Sequence, residues 1–219
     1  MPCSVPIPHR QTLALAIDSP AGEAWLTDAE RLACAAIADA RRRRDWRAAR
    51  LAGKWAVAGT LGLRRSDDVE ILTVPGSPPS VAVREEDGGV RLADVTLSLA
   101  HRHGRGAAVA AAGQTAVGVD LERETAIPEE HERYFLTAAE RVARQRWTAT
   151  ALWALKEAAW KALRCADSVY FATLELCFDE GLVVRGVSLG GTMRPASAAI
   201  TEPWPGFLLA VVRIEGKGE

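Results

Sequence analysis

A chain that says the same thing twice has few ways to fold, and this one repeats an ordered set of signals. Leu26-Thr27-Asp28-Ala29-Glu30-Arg31 is echoed by Leu136-Thr137-Ala138-Ala139-Glu140-Arg141. Both carry Thr-x-x-Glu ahead of an apolar periodic stretch, the pattern of a capping box, so each is expected to start a helix. Downstream, Trp46-x-x-x-Arg50-x-x-x-Lys54 is matched by Trp153-x-x-x-Glu157-x-x-x-Lys161. Residues four apart share a helix face, so each helix carries a Trp, a charge and a Lys along one stripe. Upstream, Leu13-Ala-Leu-Ala-Ile-Asp18 resembles Ala116-Val-Gly-Val-Asp120, and both read as buried strands ending at an Asp. Three matches in one order point to duplication.

The fold class expected is therefore α+β: a pseudo-twofold duplication of two lobes, each a small, mostly antiparallel sheet packed with helices. The lobes are 1–113 and 114–219, with an active site at their seam. Further strands are expected at Val69 to Val74 and Val81 to Arg84, around the turn Pro75-Gly76-Ser77-Pro78-Pro79. Asp94 to Ala100 and Ala107 to Ala112 should pair across a turn from His101 to Gly106. Thr173 to Phe178 and Leu182 to Val187 bracket the hairpin signal Asp179-Glu180-Gly181. Phe207 to Ile214 is a final strand, and the last five residues should fray.

Charge and cysteine usage exclude several classes. Lys plus Arg number 27 against 28 Asp plus Glu, which gives no overall signature of nucleic-acid binding. The one basic concentration, Arg41 to Arg50, has six arginines and one acid, Asp45; it can hold phosphate or be a solvated helix face. The four cysteines, Cys3, Cys34, Cys165 and Cys177, show no C-x-x-C spacing and suit a reducing compartment. No apolar run is long enough to span a membrane, and Met1 to Gln11 has no signal-peptide core. The expectation is a cytoplasmic protein.

The residues that can carry chemistry are few. Asp120 and Glu122 are two apart on an expected strand and so point to one side. Adjacent carboxylates repel unless a proton or cation lies between them, and magnesium commonly takes one or two carboxylates with phosphate oxygens and water. Glu157 and Lys161 share a helix face; the ordinary explanation is a surface ion pair. Their apolar setting, Ala-Leu-Trp153-Ala-Leu-Lys156-Glu157-Ala-Ala-Trp160-Lys161, argues instead for buried charge that needs a partner or a metal. His101 ends a strand, and Gly104 and Gly106 nearby would let a phosphate approach the backbone.

Taken together, Ser98-Leu-Ala-His101, Val117-Gly118-Val119-Asp120-Leu121-Glu122 and Trp153-Ala-Leu-Lys156-Glu157-Ala-Ala-Trp160-Lys161 resemble the 4'-phosphopantetheinyl transferase superfamily in its longer, two-lobed, Sfp-like branch. The resemblance runs from about Ala49 to Leu163 and implies the pseudo-dimeric fold. It implies Mg2+ held by Asp120, Glu122 and Glu157, with Lys161 and Lys156 over the phosphates of coenzyme A. It implies Arg50 and Lys54 as a basic pair in the first lobe, and Ser98 and His101 as further coenzyme A contacts, His101 to the 3'-phosphate. The first lobe would thus hold the nucleotide end, and the second the metal and the catalytic residues Glu157, Lys161 and Asp120. The chain departs from the family pattern at Ala49, Ala100 and Ser77, where Gly, Ser and a basic residue are usual.

The activity so implied is transfer of 4'-phosphopantetheine from coenzyme A to a serine of an apo acyl, peptidyl or aryl carrier protein, with release of 3',5'-ADP, by a monomer that binds neither nucleic acid nor membrane. Two other classes stand beside it: a non-catalytic coenzyme A or carrier-protein binding module, and a metal-dependent phosphohydrolase. Sequence leaves open whether Glu157 is metal ligand, general base or both.

Overall fold

The computed structural model describes residues 5–7, 11–74, 76–85, 87–113, 115–165 and 171–215. The chain forms two compact units, Met1–Gln114 and Thr115–Glu219.

The first unit is built around one long helix. Strands β1 (Val5–Ile7) and β2 (Gln11–Ile17) are followed by a 3-10 turn, helix α1 (Asp28–Ala35) and helix α2 (Ala40–Leu61). Strands β3 (Val69–Leu72), β4 (Ser80–Arg84), β5 (Val90–Leu92), β6 (Val95–Arg102) and β7 (Arg105–Ala112) complete it. The sheet order is β1-β2-β7-β6, with β3-β4-β5 as a separate sheet, every pair antiparallel. Helix α2 starts at Asp39, whose side chain accepts the Arg42 amide at 2.6 Å, and packs along β7, β2 and β6. Its buried residues Leu51, Ala52, Ala56 and Val57 meet Ala14, Ala16, Leu97, Ala108 and Ala110 of the sheet. Alanine dominates this contact, which lets helix and sheet lie close.

The second unit is one five-stranded sheet with one long helix. It contains β8 (Ala116–Arg123), the single turn α3 (Glu129–Glu132), α4 (Ala138–Val142), α5 (Ala149–Leu163), β9 (Leu174–Phe178), β10 (Val184–Leu189), β11 (Thr192–Trp204) and β12 (Phe207–Ile214). The order is β8-β12-β11-β10-β9, again all antiparallel. Helix α5 packs on β8 and β12, burying Ala154, Leu155, Ala158, Ala159 and Ala162 against Ala210, Val212 and Leu176. The approach to β8 is tightest at Gly118: a Cβ there would lie 2.7 Å from Ala162 N and 2.9 Å from Ala158 C. Only glycine allows that contact.

The class is α+β, and both capping boxes form. Thr27 accepts the Glu30 amide and Thr137 the Glu140 amide, each at 3.2 Å, while both glutamates reach back to the threonine amide.

Several expectations need correction. The turn between β6 and β7 is not His101 to Gly106 but the two residues His103-Gly104, at φ 51° and 73°. That pair of positive φ values makes the tight hairpin turn that suits the strands' twist. The strand containing Asp120 does not end there; it runs three residues further, to Arg123, whereas Asp18 follows the end of β2. Strands β5 and β11 were not expected. Strand β11 is mostly exposed and contains Pro195 and Pro203, so it shows neither apolar alternation nor an uninterrupted β pattern. Pro75, within the expected turn, and residues 216–219, expected to fray, lie outside the described residues. Among the described residues, no helix is long and apolar enough to cross a membrane.

Candidate active site

The site is built where α5 closes on β8. Gly118, Asp120 and Glu122 alternate onto one face of β8, and Gly118 lets α5 descend onto that face. The Lys161 ammonium, one turn after Glu157 on α5, donates to Asp120 Oδ1 at 2.7 Å and to the Val119 carbonyl at 3.1 Å. The structure thus brings together Asp120, Glu122, Glu157 and Lys161. In place of the ordinary surface pair between Glu157 and Lys161, Lys161 bonds to the strand carboxylate, in keeping with the buried charge that the apolar setting implied.

Electrostatics fit a cation-binding cluster. Burial pushes the Glu157 carboxyl above its ordinary range; Lys161 pulls it back, and Asp120 and Glu122 push it further up. Asp120 is only 6 % exposed, and its Oδ2 is buried with no hydrogen-bond partner among the described residues. A buried carboxylate oxygen without a donor is costly, and an added cation would relieve that cost. Among the described residues, no three His, Cys, Asp or Glu side chains form a ready-made metal cage. Magnesium does not require one, because it retains waters and draws ligands from substrate phosphates. Asp120 Oδ2, buried and without a donor among the described residues, is an oxygen that suits that ion.

The first unit presents a different picture. Arg50 is 3 % exposed, lies 4.5 Å over the Trp46 ring, and donates from Nη2 to the Thr73 hydroxyl at 2.8 Å. Its Nε is buried without a hydrogen-bond partner among the described residues, and burial lowers the pKa of its guanidinium, Glu30 opposing. His101 is exposed at the end of β6, opposite Gly106. The tip of that hairpin is fixed to its surroundings: the Gly104 amide donates to Asp45 of α2, and the Gly104 carbonyl accepts the Asp18 amide at 2.8 Å.

Three expected coenzyme A contacts are placed elsewhere. Lys54 is 0 % exposed; its ammonium pairs with Glu30 at 2.8 Å and donates to the Val69 carbonyl. Lys156 is also 0 % exposed and lies 3.0 and 2.7 Å from the two Glu140 oxygens. Neither ammonium reaches a phosphate, because each is spent on a carboxylate within the core. Ser98 is 5 % exposed and, three residues from His101, lies on the opposite face of β6, so the two do not converge on one ligand atom.

These pairs also correct the register of the repeat. Spacing alone matched Lys54 to Lys161, yet Lys54 contacts the capping-box Glu30 as Lys156 contacts the capping-box Glu140. Sequence reasoning read both glutamates only as caps. Their second role has no local signal, since the partner lysines lie 24 and 16 residues away.

Comparison with known proteins agrees with the geometry in its placement. Residues 116–201, which include β8, α5 and every member of the cluster, match the family model described as the 4'-phosphopantetheinyl transferase superfamily. None of the curated proteins compared matches the chain. Among solved structures, Helicobacter pylori holo-[acyl-carrier-protein] synthase, crystallised with coenzyme A, is 22 % identical, with 45 % of this chain and 99 % of that chain covered at a TM-score of 0.36. Thermotoga maritima holo-[acyl-carrier-protein] synthase is 20 % identical, with 47 % of this chain and 65 % of that chain covered at a TM-score of 0.33. The paired strand carboxylates, the helix glutamate and the bridging lysine all lie inside the segment that is similar to the 4'-phosphopantetheinyl transferase superfamily.

Proposed function

We propose that this protein transfers the 4'-phosphopantetheine of coenzyme A to a serine of an apo carrier protein, releasing 3',5'-ADP, with Mg2+ as cofactor, and that it belongs to the two-lobed, Sfp-like branch. The observation that carries this reading is the buried, unpartnered Asp120 Oδ2 beside a lysine-anchored carboxylate cluster, within the segment that matches the family.

In this reading the serine hydroxyl oxygen bonds to the β-phosphorus of coenzyme A, and the bond from that phosphorus to the bridging oxygen of 3',5'-ADP breaks. Such a transfer asks mainly for positioning and neutralisation of charge. Mg2+, held by Asp120, Glu122 and Glu157, would supply part of that neutralisation on the pyrophosphate. Lys161 would supply another part: Asp120 and the Val119 carbonyl hold its ammonium in place, and an ammonium so held needs little reorganisation to neutralise a leaving phosphate. Glu157 takes the serine proton, directly or through a water. Its raised proton affinity suits that task, because a general base works best with a pKa drawn toward the operating pH.

The test is mass spectrometry of a panel of apo acyl, peptidyl and aryl carrier proteins after incubation with the protein, coenzyme A and Mg2+. At least one carrier should gain one phosphopantetheine on serine. Release of 3',5'-ADP at the same rate with no carrier present would instead show a phosphohydrolase. Binding of coenzyme A with neither product would show a binding module.

A further inference from the structure

The capping-box glutamates hold together more than their helices. In the second unit, Glu140 Oε2 accepts the Thr137 amide at 2.7 Å and Oε1 accepts the Leu176 amide of β9 at 2.8 Å. The Lys156 ammonium donates to both oxygens, and both side chains are 0 % exposed. In the first unit, Glu30 Oε2 accepts the Thr27 amide at 2.9 Å and Oε1 accepts the Ile71 amide of β3 at 3.0 Å, while Lys54 lies 2.8 Å from Oε2. Each knot ties the same three parts: the start of the capped helix, the long helix, and the strand that follows it.

A buried ion pair is a poor device for stability alone, since well-packed apolar residues of similar volume often do as well. What the knot supplies is geometry. It holds two directional backbone amides and one lysine on a single carboxylate, which fixes how far α5 is rolled about its own axis. Lys156 directly precedes Glu157, and successive residues on a helix point about 100° apart. Drawing Lys156 inward to Glu140 therefore turns Glu157, and Lys161 one turn later, toward Asp120. The first-unit knot has no such neighbour, because Trp55 follows Lys54.

We propose that Lys156 is a positioning residue: through Glu140 it sets the roll of α5 that presents Glu157 and Lys161 to the β8 carboxylates. This rests on the transferase reading for its kinetic arm and on the carboxylate cluster alone for its metal arm.

The experiment compares two charge-neutral pairs in the full chain, Glu140→Gln/Lys156→Met and Glu30→Gln/Lys54→Met. Thermal unfolding, carrier-transfer kinetics and Mn2+ affinity by electron paramagnetic resonance are measured for each. Neither pair leaves a lone buried charge, so neither is penalised for one. The Glu140→Gln/Lys156→Met protein should bind Mn2+ about tenfold more weakly or worse, as when an outer partner of a metal ligand is lost. Its kcat should fall about tenfold or more with KM for coenzyme A within about twofold, as expected of displacement by a fraction of an ångström. The Glu30→Gln/Lys54→Met protein should stay within about twofold of the unaltered protein in both. Should the first pair fail to fold, Glu140→Asp against Glu30→Asp replaces it, keeping every charge while shortening the tether by one methylene. Mn2+ affinity within twofold of the unaltered protein for the Glu140 variants, or equal losses in the two units, overturns the proposal. Absence of transfer by the unaltered protein to any carrier would defeat the transferase reading, and the Mn2+ comparison would still decide this one.

Discussion

Replacing Gly118 by Ala tests the strand–helix contact on which the whole site stands. The new Cβ would lie 2.7 Å from Ala162 N and 2.9 Å from Ala158 C, and closer still to the Ala158 carbonyl oxygen. All three are backbone atoms of α5, so no side chain can rotate to make room. Relieving the Ala162 N contact alone requires α5 to retreat by about 0.7 Å, and the closer Ala158 carbonyl oxygen requires more. Overpacking of this kind costs roughly 1–3 kcal/mol and belongs at the upper end where backbone must move. For a chain of this size the melting temperature should fall by about 6–12 °C, at 2–4 °C per kcal/mol. The retreat also stretches the 2.7 Å bond from Lys161 to Asp120 toward the limit of a useful contact. Differential scanning fluorimetry and carrier modification below the melting temperature are the assays. Gly106→Ala is the control: its Cβ would lie 2.5 Å from Ala49 N in the first unit, so it should destabilise comparably while leaving the β8–α5 bond in place. A Gly118→Ala protein that melts within about 1 °C of the unaltered protein would refute the reasoning.

Asp120→Asn keeps the acceptor for Lys161 but removes the anionic Oδ2; carrier modification followed by mass spectrometry should fall by about 10²–10³ with the melting temperature little changed. Thr137→Ala removes a hydroxyl that accepts the Glu140 amide and should cost about 1 kcal/mol in urea unfolding. His101→Ala should weaken coenzyme A more than its 3'-dephospho analogue in isothermal titration calorimetry, and equal losses would remove the 3'-phosphate assignment. Because Glu157 holds its proton above the ordinary carboxylate range, Mg2+ affinity should rise with pH through that raised value and be lost as pH falls through it; Glu157→Gln should flatten the profile. The same shift acts on stability with the opposite sign. A carboxyl that binds its proton more tightly folded than unfolded favours the fold below its unfolded value, and that contribution is lost as pH rises through the folded one.

What could be read in advance was local. Phe207–Ile214 became β12 with the bounds its apolar run suggested, and each Thr-x-x-Glu became a capping box. Asp120 with Glu122, and Glu157 with Lys161, were legible because strand and helix periods alone put each pair on one side. The long-range pairings were not. Spacing offered Lys161 as the counterpart of Lys54, and only the contacts to Glu30 and Glu140 show that Lys156 holds that place. Strand β5 escaped notice because its three residues are all exposed, so no buried face marks it. Strand β11 did so because its prolines and outward-facing small residues carry no period.

Strand β11 divides its hydrogen bonds between two neighbours. Its first residues, Thr192 to Pro195, pair with β10, and from Ala196 to Trp204 it pairs with β12. The change of partner falls at Pro195, which has no amide to donate, although its carbonyl still accepts the Glu215 amide at 2.9 Å. The ladder is therefore narrowest where one strand alone joins the β9–β10 hairpin to the β12–β8 pair. In native-state hydrogen exchange this would make the sheet open as two cooperative blocks, with amides of β9 and β10 exchanging ahead of those in β8 and β12. The carboxylates of β8 would keep their backbone while the far hairpin breathes.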